Sequence, residues 1–359
     1  MRIMTSAKYA LGATAAVAIL AACSGGSGSQ LAPSSPAMGG NAVTSRADGH
    51  GAKNYSIMAK LIAPGKTKQH FKNWMEPGAN QNRLVYASDF NNSIVQVYNY
   101  PSNGTQNPPA GTLTGFLNPQ GMCVDKSNNL YIADTGNSRV QQYQWGSSSP
   151  SASYPATGEY PVGCSVDPTT GNLAASDIFS PTTGQGAVTI CSSPSSCTTY
   201  VEPGGLLECF FIGYAPNGDL YVDGENSFGF GLAYLPAGSS TWQAGSVSGE
   251  TINFPGGIMY DNTNMTVTDQ SGSLGNPVLY QCSASGSTLD CSGGTQMSGS
   301  TDVTGPFVKR GAKGMVGADV NGTIYTWAYP AGGTPRPGKT ITVSESYPSL
   351  NGQAVQLGP

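Results

Sequence analysis

Six strand-like segments that each end in aspartate recur along the chain at nearly constant intervals, and this period constrains the fold more than any other feature. They close on Asp89, Asp134, Asp177, Asp223, Asp269 and Asp319, with gaps of 45, 43, 46, 46 and 50 residues. Leu130-Tyr131-Ile132-Ala133-Asp134 and Tyr221-Val222-Asp223 show the pattern: apolar, β-favouring residues, then a carboxylate. A second mark keeps step with it, a proline followed six residues later by aspartate at Pro119/Asp125, Pro161/Asp167 and Pro255/Asp261. Between the marks lie Gly171-Asn172, Asn217-Gly218 and Asn321-Gly322, pairs that accept the positive φ of tight turns. No segment beyond residue 54 has an apolar stripe at helical spacing with caps. A repeat of about 40–45 residues holding several short strands is the signature of a propeller blade. The chain is therefore predicted to be all-β, a six-bladed β-propeller.

One unit carries more than the period. Pro119, Gly121, Val124, Asp125, Tyr131, Ala133, Asp134, Thr135, Asn137, Arg139 and Val140 follow a pattern that resembles the NHL repeat. The resemblance implies an NHL/TolB-like propeller over about residues 70–359. The other five units are degenerate. None keeps the Asn-x-Arg segment, and the fourth has Ala215 where Asp125 would fall. Residues 347–355 resemble the start of a further repeat and are expected to join the first unit, which removes an open sheet edge. Residues 55–75 are expected to supply the other closing partner.

The N-terminus reads as an export signal. Arg2 and Lys8 precede an apolar stretch, Tyr9 to Ala22, too short to span a bilayer comfortably. Leu20-Ala21-Ala22-Cys23 resembles the bacterial lipoprotein box. That resemblance implies a signal peptide over 1–22, cleavage before Cys23 and a lipid on its sulfur. Residues 23–54, rich in Gly, Ser and Pro, have the composition of a disordered tether. The domain, 55–359, is then expected to be membrane-anchored through the lipid, on the periplasmic or cell-surface side of a bacterial envelope.

Composition narrows the chemistry. Only 10% of the residues are charged and the net charge is −4, so no basic footprint for nucleic acid exists. The two histidines, His50 and His70, precede the regular repeats, which disfavours a Ser-His-Asp triad or a multi-histidine zinc site there. With Cys23 reserved for lipid, seven cysteines remain. Cys191 and Cys197, and Cys282 and Cys291, flank short polar loops and are expected to form disulfides, which belong to an oxidising compartment. Among Cys123, Cys164 and Cys209, a Cys164–Cys209 pair is preferred because their units are neighbours, with one thiol left over.

The repeated aspartates would line one rim. A carboxylate ring can bind a hard cation, yet a strand-end aspartate more commonly accepts hydrogen bonds from turn amides, and a repeat copies that role. No metal and no cofactor is expected. Arg139 is read either as an anion contact or as the partner of a carboxylate or carbonyl. Phe90, Phe179, Phe228 and Phe230 follow or neighbour the aspartates, and could form an aromatic platform for a peptide or sugar or pack between blades. The binding-face candidates are therefore Asp89, Phe90, Asp134, Arg139, Asp177, Phe179, Asp223, Asp269 and Asp319. The favoured function is a binding or scaffold module for a protein, peptide or glycan, without catalysis. The alternative is a metal-dependent lactone hydrolase resembling gluconolactonases, with its site in the central channel and Glu202, Glu208, Asn118 and Asp261 as its available side chains. Two related propeller families, peptidyl-amidating and streptogramin lyases, depend on histidines that the repeats lack.

Overall fold

The second strand of each unit is apolar on both sides because it lies between two neighbours. In Leu84–Asp89, Leu84 and Tyr86 pack towards the following unit, while Val85 and Ala87 pack towards the preceding one. Side chains alternate across a strand, so a strand sandwiched on both faces reads as a continuous apolar run. All six of its residues are buried. Each fully buried Leu, Val or Ile of this kind contributes roughly 1.5–3 kcal/mol.

The computed structural model describes residues 70–100, 109–157, 159–272, 275–308, 313–343, 345 and 348–356. The expected leader, the tether with Cys23, and residues 55–69 lie outside the described residues. Unit 1 contains β1 (Trp74–Met75), β2 (Leu84–Asp89), β3 (Ile94–Asn99) and β4 (Gly111–Leu113). Unit 2 contains β5 (Pro119–Val124), β6 (Leu130–Asp134), β7 (Arg139–Tyr143) and β8 (Pro150–Pro155). Unit 3 contains β9 (Pro161–Val166), β10 (Leu173–Asp177), β11 (Ala187–Ser193) and β12 (Ser196–Val201). Unit 4 contains β13 (Glu208–Tyr214), β14 (Leu220–Asn226), β15 (Gly229–Leu235) and β16 (Gln243–Ser248). Unit 5 contains β17 (Pro255–Tyr260), β18 (Met265–Asp269), β19 (Val278–Ser285) and β20 (Thr288–Gln296). Unit 6 contains β21 (Phe307–Val308), β22 (Gly314–Asp319), β23 (Thr323–Ala328) and β24 (Ile341–Thr342), and β25 (Leu350–Gln356) follows. The helices among the described residues are three-residue 3₁₀ turns.

Within each unit the strands pair antiparallel in chain order. Unit 1 differs, because β25 pairs antiparallel with β2 as its innermost strand and β1 adds to β4 on the outside. The chain end thus closes against the chain start, as expected. Units 4 and 5 are also joined at their outer edges, where β16 runs parallel to the hairpin of β19 and β20 through Ser246↔Thr288 and Ser248↔Asp290. Apolar layers fill the space between successive units, and the layer between units 6 and 1 completes a ring.

The innermost strands crowd at their starts, where the pairing with the second strand is irregular. Two glycines show why that position excludes side chains. A Cβ on Gly121 would overlap the Val162 carbonyl oxygen of the next unit. Gly257 has φ 147°, and a Cβ there would stand 2.8 Å from the Gly305 Cα.

Cysteine pairing corrects one expectation. Cys191–Cys197 and Cys282–Cys291 form as expected, each within an outer hairpin. The third bond is Cys123–Cys164, and Cys209 is the free, buried thiol. Cys123 is the fifth residue of β5 and Cys164 the fourth of β9, opposite Tyr131 and Ala175, with Cα atoms 5.6 Å apart. Cys209 lies near the start of β13, opposite Gly224, with its sulfur packed towards Gly186. Neighbouring units do bring cysteines together, but strand register chooses the pair.

Candidate functional site

The six repeated aspartates lie at one end of the ring, the carboxylate end, and each is fully buried. Their chemistry is local. Asp89 accepts from the backbone and side-chain amides of Asn92 and from Ser349 N–H, which holds the entry to β25. Asp269 accepts from Asn253, Phe254 and Ser271 N–H groups, and Asp319 from those of Thr301 and Asn321. Asp134 is the most heavily bound. Leu117 N–H donates to it at 2.7 Å, Asn137 Nδ2 at 3.0 Å, Arg139 Nε at 2.8 Å and Gln141 Nε2 at 2.9 Å. These contacts explain why the unit resembling the NHL pattern keeps Asn137 and Arg139: both donate to its own strand-end carboxylate. Arg139 Nη2 also donates to the Gly115 carbonyl at 3.2 Å. Its side chain is 35% exposed, and Asn137 is also exposed, so two of the donors to this buried carboxylate reach solvent.

Asp177 and Asp223 differ. Asp177 accepts from Thr189 Oγ1 at 2.8 Å and Asp223 from Phe211 N–H at 2.9 Å, and each retains an oxygen without a hydrogen-bond partner. Burial holds both carboxyls well above the usual range. Burial also raises Asp89 to about 6, and Glu159 and Asp302 to about 7. The rim is thus a set of interior acids beneath the loops.

The phenylalanines also go inward. Phe90 and Phe179 form a buried cluster with Tyr160, Phe210 and Phe254, and Phe211 packs against it. These residues come from units 1, 3, 4 and 5. Unit 1 borders only units 2 and 6, so Phe90 reaches the cluster by leaning inward over the axial opening. An apolar plug therefore covers the axis at the carboxylate end. Phe230 is half-buried against the layer between units 4 and 5. Phe228 takes the opposite course. It stands at the tip of the β14–β15 hairpin, beyond Asp223 and 98% exposed.

Below the plug lies a cavity of about 650 Å³. Its walls are the innermost strands β5, β9, β13, β17, β21 and β25, each the last strand of its sheet or half-sheet on that side. Phe211 forms its floor, about 3.8 Å from where a Cβ on Gly305 would stand. Met122, Val124, Val166, Ile258, Met259 and Val308 supply apolar wall. The mouth opens at the other end of the ring, among the turns that carry Asp125, Lys126, Asp167 and Asn262. Asp125 accepts from Ser127 N–H, Asn129 N–H and Asn129 Nδ2, each at 2.8 Å. Asp167 accepts from Thr169 and Thr170, and these hydrogen bonds outweigh burial and hold its carboxyl below the usual range.

The side chains considered for a hydrolase do not converge. Asn118, Glu202 and Glu208 lie at the carboxylate end, on units 2 to 4, while Asp261 lies at the mouth end. Its carboxylate takes N–H groups of Thr263 and Asn264, and the Tyr329 hydroxyl. Among the described residues no group of three or more His, Cys, Asp or Glu is placed to hold a metal ion.

The NHL repeat family model matches residues 116–143, which span β5 to β7. A chain from the crystal structure of a nidogen/laminin complex superposes with a TM-score of 0.57. The match covers 77% of this chain and 98% of that one at 11% identity. The chain is an NHL-like β-propeller. A streptogramin B lyase structure aligns at a TM-score of 0.44 over 72% of this chain and 76% of that one, with 13% identity. No curated protein sequence matches.

Sequence reasoning placed a site in the central channel for the alternative function, but missed the plug and the isolation of Phe228. The aromatic residues after the aspartates were visible. What separates Phe90 and Phe179 from Phe228 is hairpin length: β14 continues three residues beyond its aspartate, while β2 and β10 stop at theirs.

Proposed function

We propose that this propeller is an extracytoplasmic binding module that receives a protein partner on its carboxylate-end face, with Phe228 as the anchor. The observation that carries this reading is an aromatic side chain 98% exposed on an ordered hairpin tip. Phe228 N–H donates to Asn226 Oδ1 at 2.8 Å, so the tip is preorganised. Burying such a ring in a partner contributes about 2–3 kcal/mol, enough to make it a hot spot. The interior carboxylates fix the loops of that face without offering a reactive group. A propeller of the same fold occurs in a nidogen/laminin complex, which supports a protein over a peptide or glycan ligand. Three disulfides fit an oxidising compartment outside the cytoplasm. Among the described residues no helix is long and apolar enough to cross a membrane.

The lipobox supplies the rest of the reading: a bacterial envelope lipoprotein held through Cys23, with the 23–54 tether giving the face reach. Nucleic acid has no part in it. A photoreactive residue at Ser227, used in intact cells, is expected to give one discrete crosslinked species. Phe228→Ala should remove most of it, and the same probe at Ser240, on the mouth side, should not produce it. Equal crosslinking from both positions, or a yield unchanged by Phe228→Ala, would refute the assignment. Cys23→Ala is expected to move the protein from the membrane to the soluble fraction.

A further inference from the structure

We propose that the axial cavity is a second, independent binding site, for an uncharged amphipathic small molecule with an aromatic or branched aliphatic body and a hydrogen-bonding head. It does not rest on the Phe228 reading, because the two sites lie at opposite ends of the ring. Four observations specify the ligand.

The first is size and closure. About 650 Å³ falls within the range of roughly 300–1,000 Å³ typical of small-molecule sites. The plug covers one end, so a ligand enters and leaves by a single mouth. The second is the wall. Met122, Val166, Ile258 and Met259 line the cavity at the inner margin of the apolar layers between units, and Met122, Val166 and Met259 are only partly buried within the folded chain. An apolar body there removes side-chain surface from water.

The third is the source of hydrogen bonds. The six innermost strands each end a sheet or half-sheet at the cavity, so their inward edges carry no neighbouring strand. Such edges present backbone N–H and C=O groups, which suit a hydroxyl, amide or ketone. The fourth is charge. Asp125 and Asp167 stand at the mouth with their oxygens bound to their own turns, and the Lys126 ammonium donates to the Pro168 carbonyl. The two carboxylates repel an anion. The apolar wall penalises any ion carried inside, since burying an unpaired charge is costly. An uncharged molecule meets neither barrier.

The test uses the full chain with Cys23→Ser, which keeps detergent out of the assay. The probe is prodan, an uncharged dimethylaminonaphthyl ketone whose emission shifts to the blue in apolar surroundings. Saturable, blue-shifted binding with a Kd on the order of 1–10 µM is expected for a ligand of that size. Val166→Trp and Met259→Trp each fill the wall and should weaken binding at least tenfold. Far-UV circular dichroism and disulfide content identify which variants are folded, and either folded variant suffices. Phe228→Ala should leave binding unchanged. Anilinonaphthalene sulfonate, similar in body but anionic, should bind at least tenfold more weakly. The proposal is overturned if the parent chain gives no saturable blue shift, or if the folded tryptophan variants bind prodan as the parent does. It is overturned in its charge assignment if the sulfonate binds as tightly as the ketone.

Discussion

Asp134→Asn and Asp177→Asn are the same substitution at the same place in two repeats, and they should differ by several kcal/mol. Asp134 is an acceptor for Leu117, Asn137, Arg139 and Gln141, and its oxygens have no room for a donor. An amide keeps one carbonyl oxygen for Leu117 N–H. It turns an NH₂ towards Arg139 Nε and Gln141 Nε2, donor against donor. A hydrogen bond to a charged group contributes about 1.5–3 kcal/mol. Arg139 is partly solvated and recovers some of its loss in water, whereas Gln141, 4% exposed, does not. The net cost is about 3–5 kcal/mol, in line with breaking a buried ion pair. At roughly 2–4 °C per kcal/mol for a domain of this class, the melting temperature should drop by about 6–20 °C at pH 7. Asp177 has one such donor, the Thr189 hydroxyl, and an unpartnered oxygen, and burial raises its carboxyl well above the usual range. Its amide gives up no charged or buried amide donor, and the change should stay within about 1 kcal/mol. Equilibrium urea unfolding of the two variants and the parent decides the matter. Equal destabilisation by both would refute the division of the repeated aspartates into heavily and sparsely hydrogen-bonded groups.

Stability should depend on pH in the direction set by the raised carboxyls. A group whose folded pKa exceeds its unfolded value contributes stability below the unfolded value and loses it as pH rises through the folded one. With Asp89 at about 6 and Glu159 and Asp302 at about 7, the melting temperature should fall between about pH 4.5 and 7.5; a steady rise across that window would count against buried, neutral acids. Asp167, held low, acts oppositely and only below about pH 4. Removing Cys123–Cys164, which spans 41 residues, should cost about 4 kcal/mol on the chain-entropy model, against about 2 for Cys191–Cys197, which spans six; chemical unfolding of the paired serine variants gives the order. Cys209 should resist maleimide in the folded protein and react after unfolding, as mass spectrometry would read, because burial raises its thiol well above the usual range. Gly121→Ala should cost more than Gly171→Ala in a melting experiment, since only the former meets backbone of the next unit, although Gly171 at φ 80° is itself strained by a side chain.

The repeat was legible because the physics that created it is local. Five of the six strand-end aspartates bind an amide within their own unit, so most units need similar residues at a similar spacing. The two hairpin disulfides were legible for the same reason: six or nine residues apart, their partners meet across a single turn. What the sequence hid depends on convergence from distant units. Phe90 and Phe254 belong to repeats that share no border, and only closure of the ring puts them in one cluster. The choice of Cys123 over Cys209 as the partner of Cys164 turned on register. β13 is shifted by one residue relative to its aspartate, with Phe211 opposite Asp223 where units 2, 3 and 5 place a proline opposite theirs. No spacing rule read along the chain reports such a slip. A central channel followed from the propeller architecture, but its apolar lining had no signal of its own, since it is one or two ordinary apolar residues from each innermost strand.

The closure of unit 1 by β25 has a bearing on synthesis. β25 follows every other strand in the chain, and β2 has no inner neighbour until residues 350–356 arrive. A nascent chain therefore carries an unzipped sheet through almost the whole of translation, and a product truncated before residue 350 keeps that edge permanently. Such an edge is a template for pairing with another chain. Copies that end before β25 should consequently be sticky and short-lived, whereas pairing of β25 with β2 covers that edge.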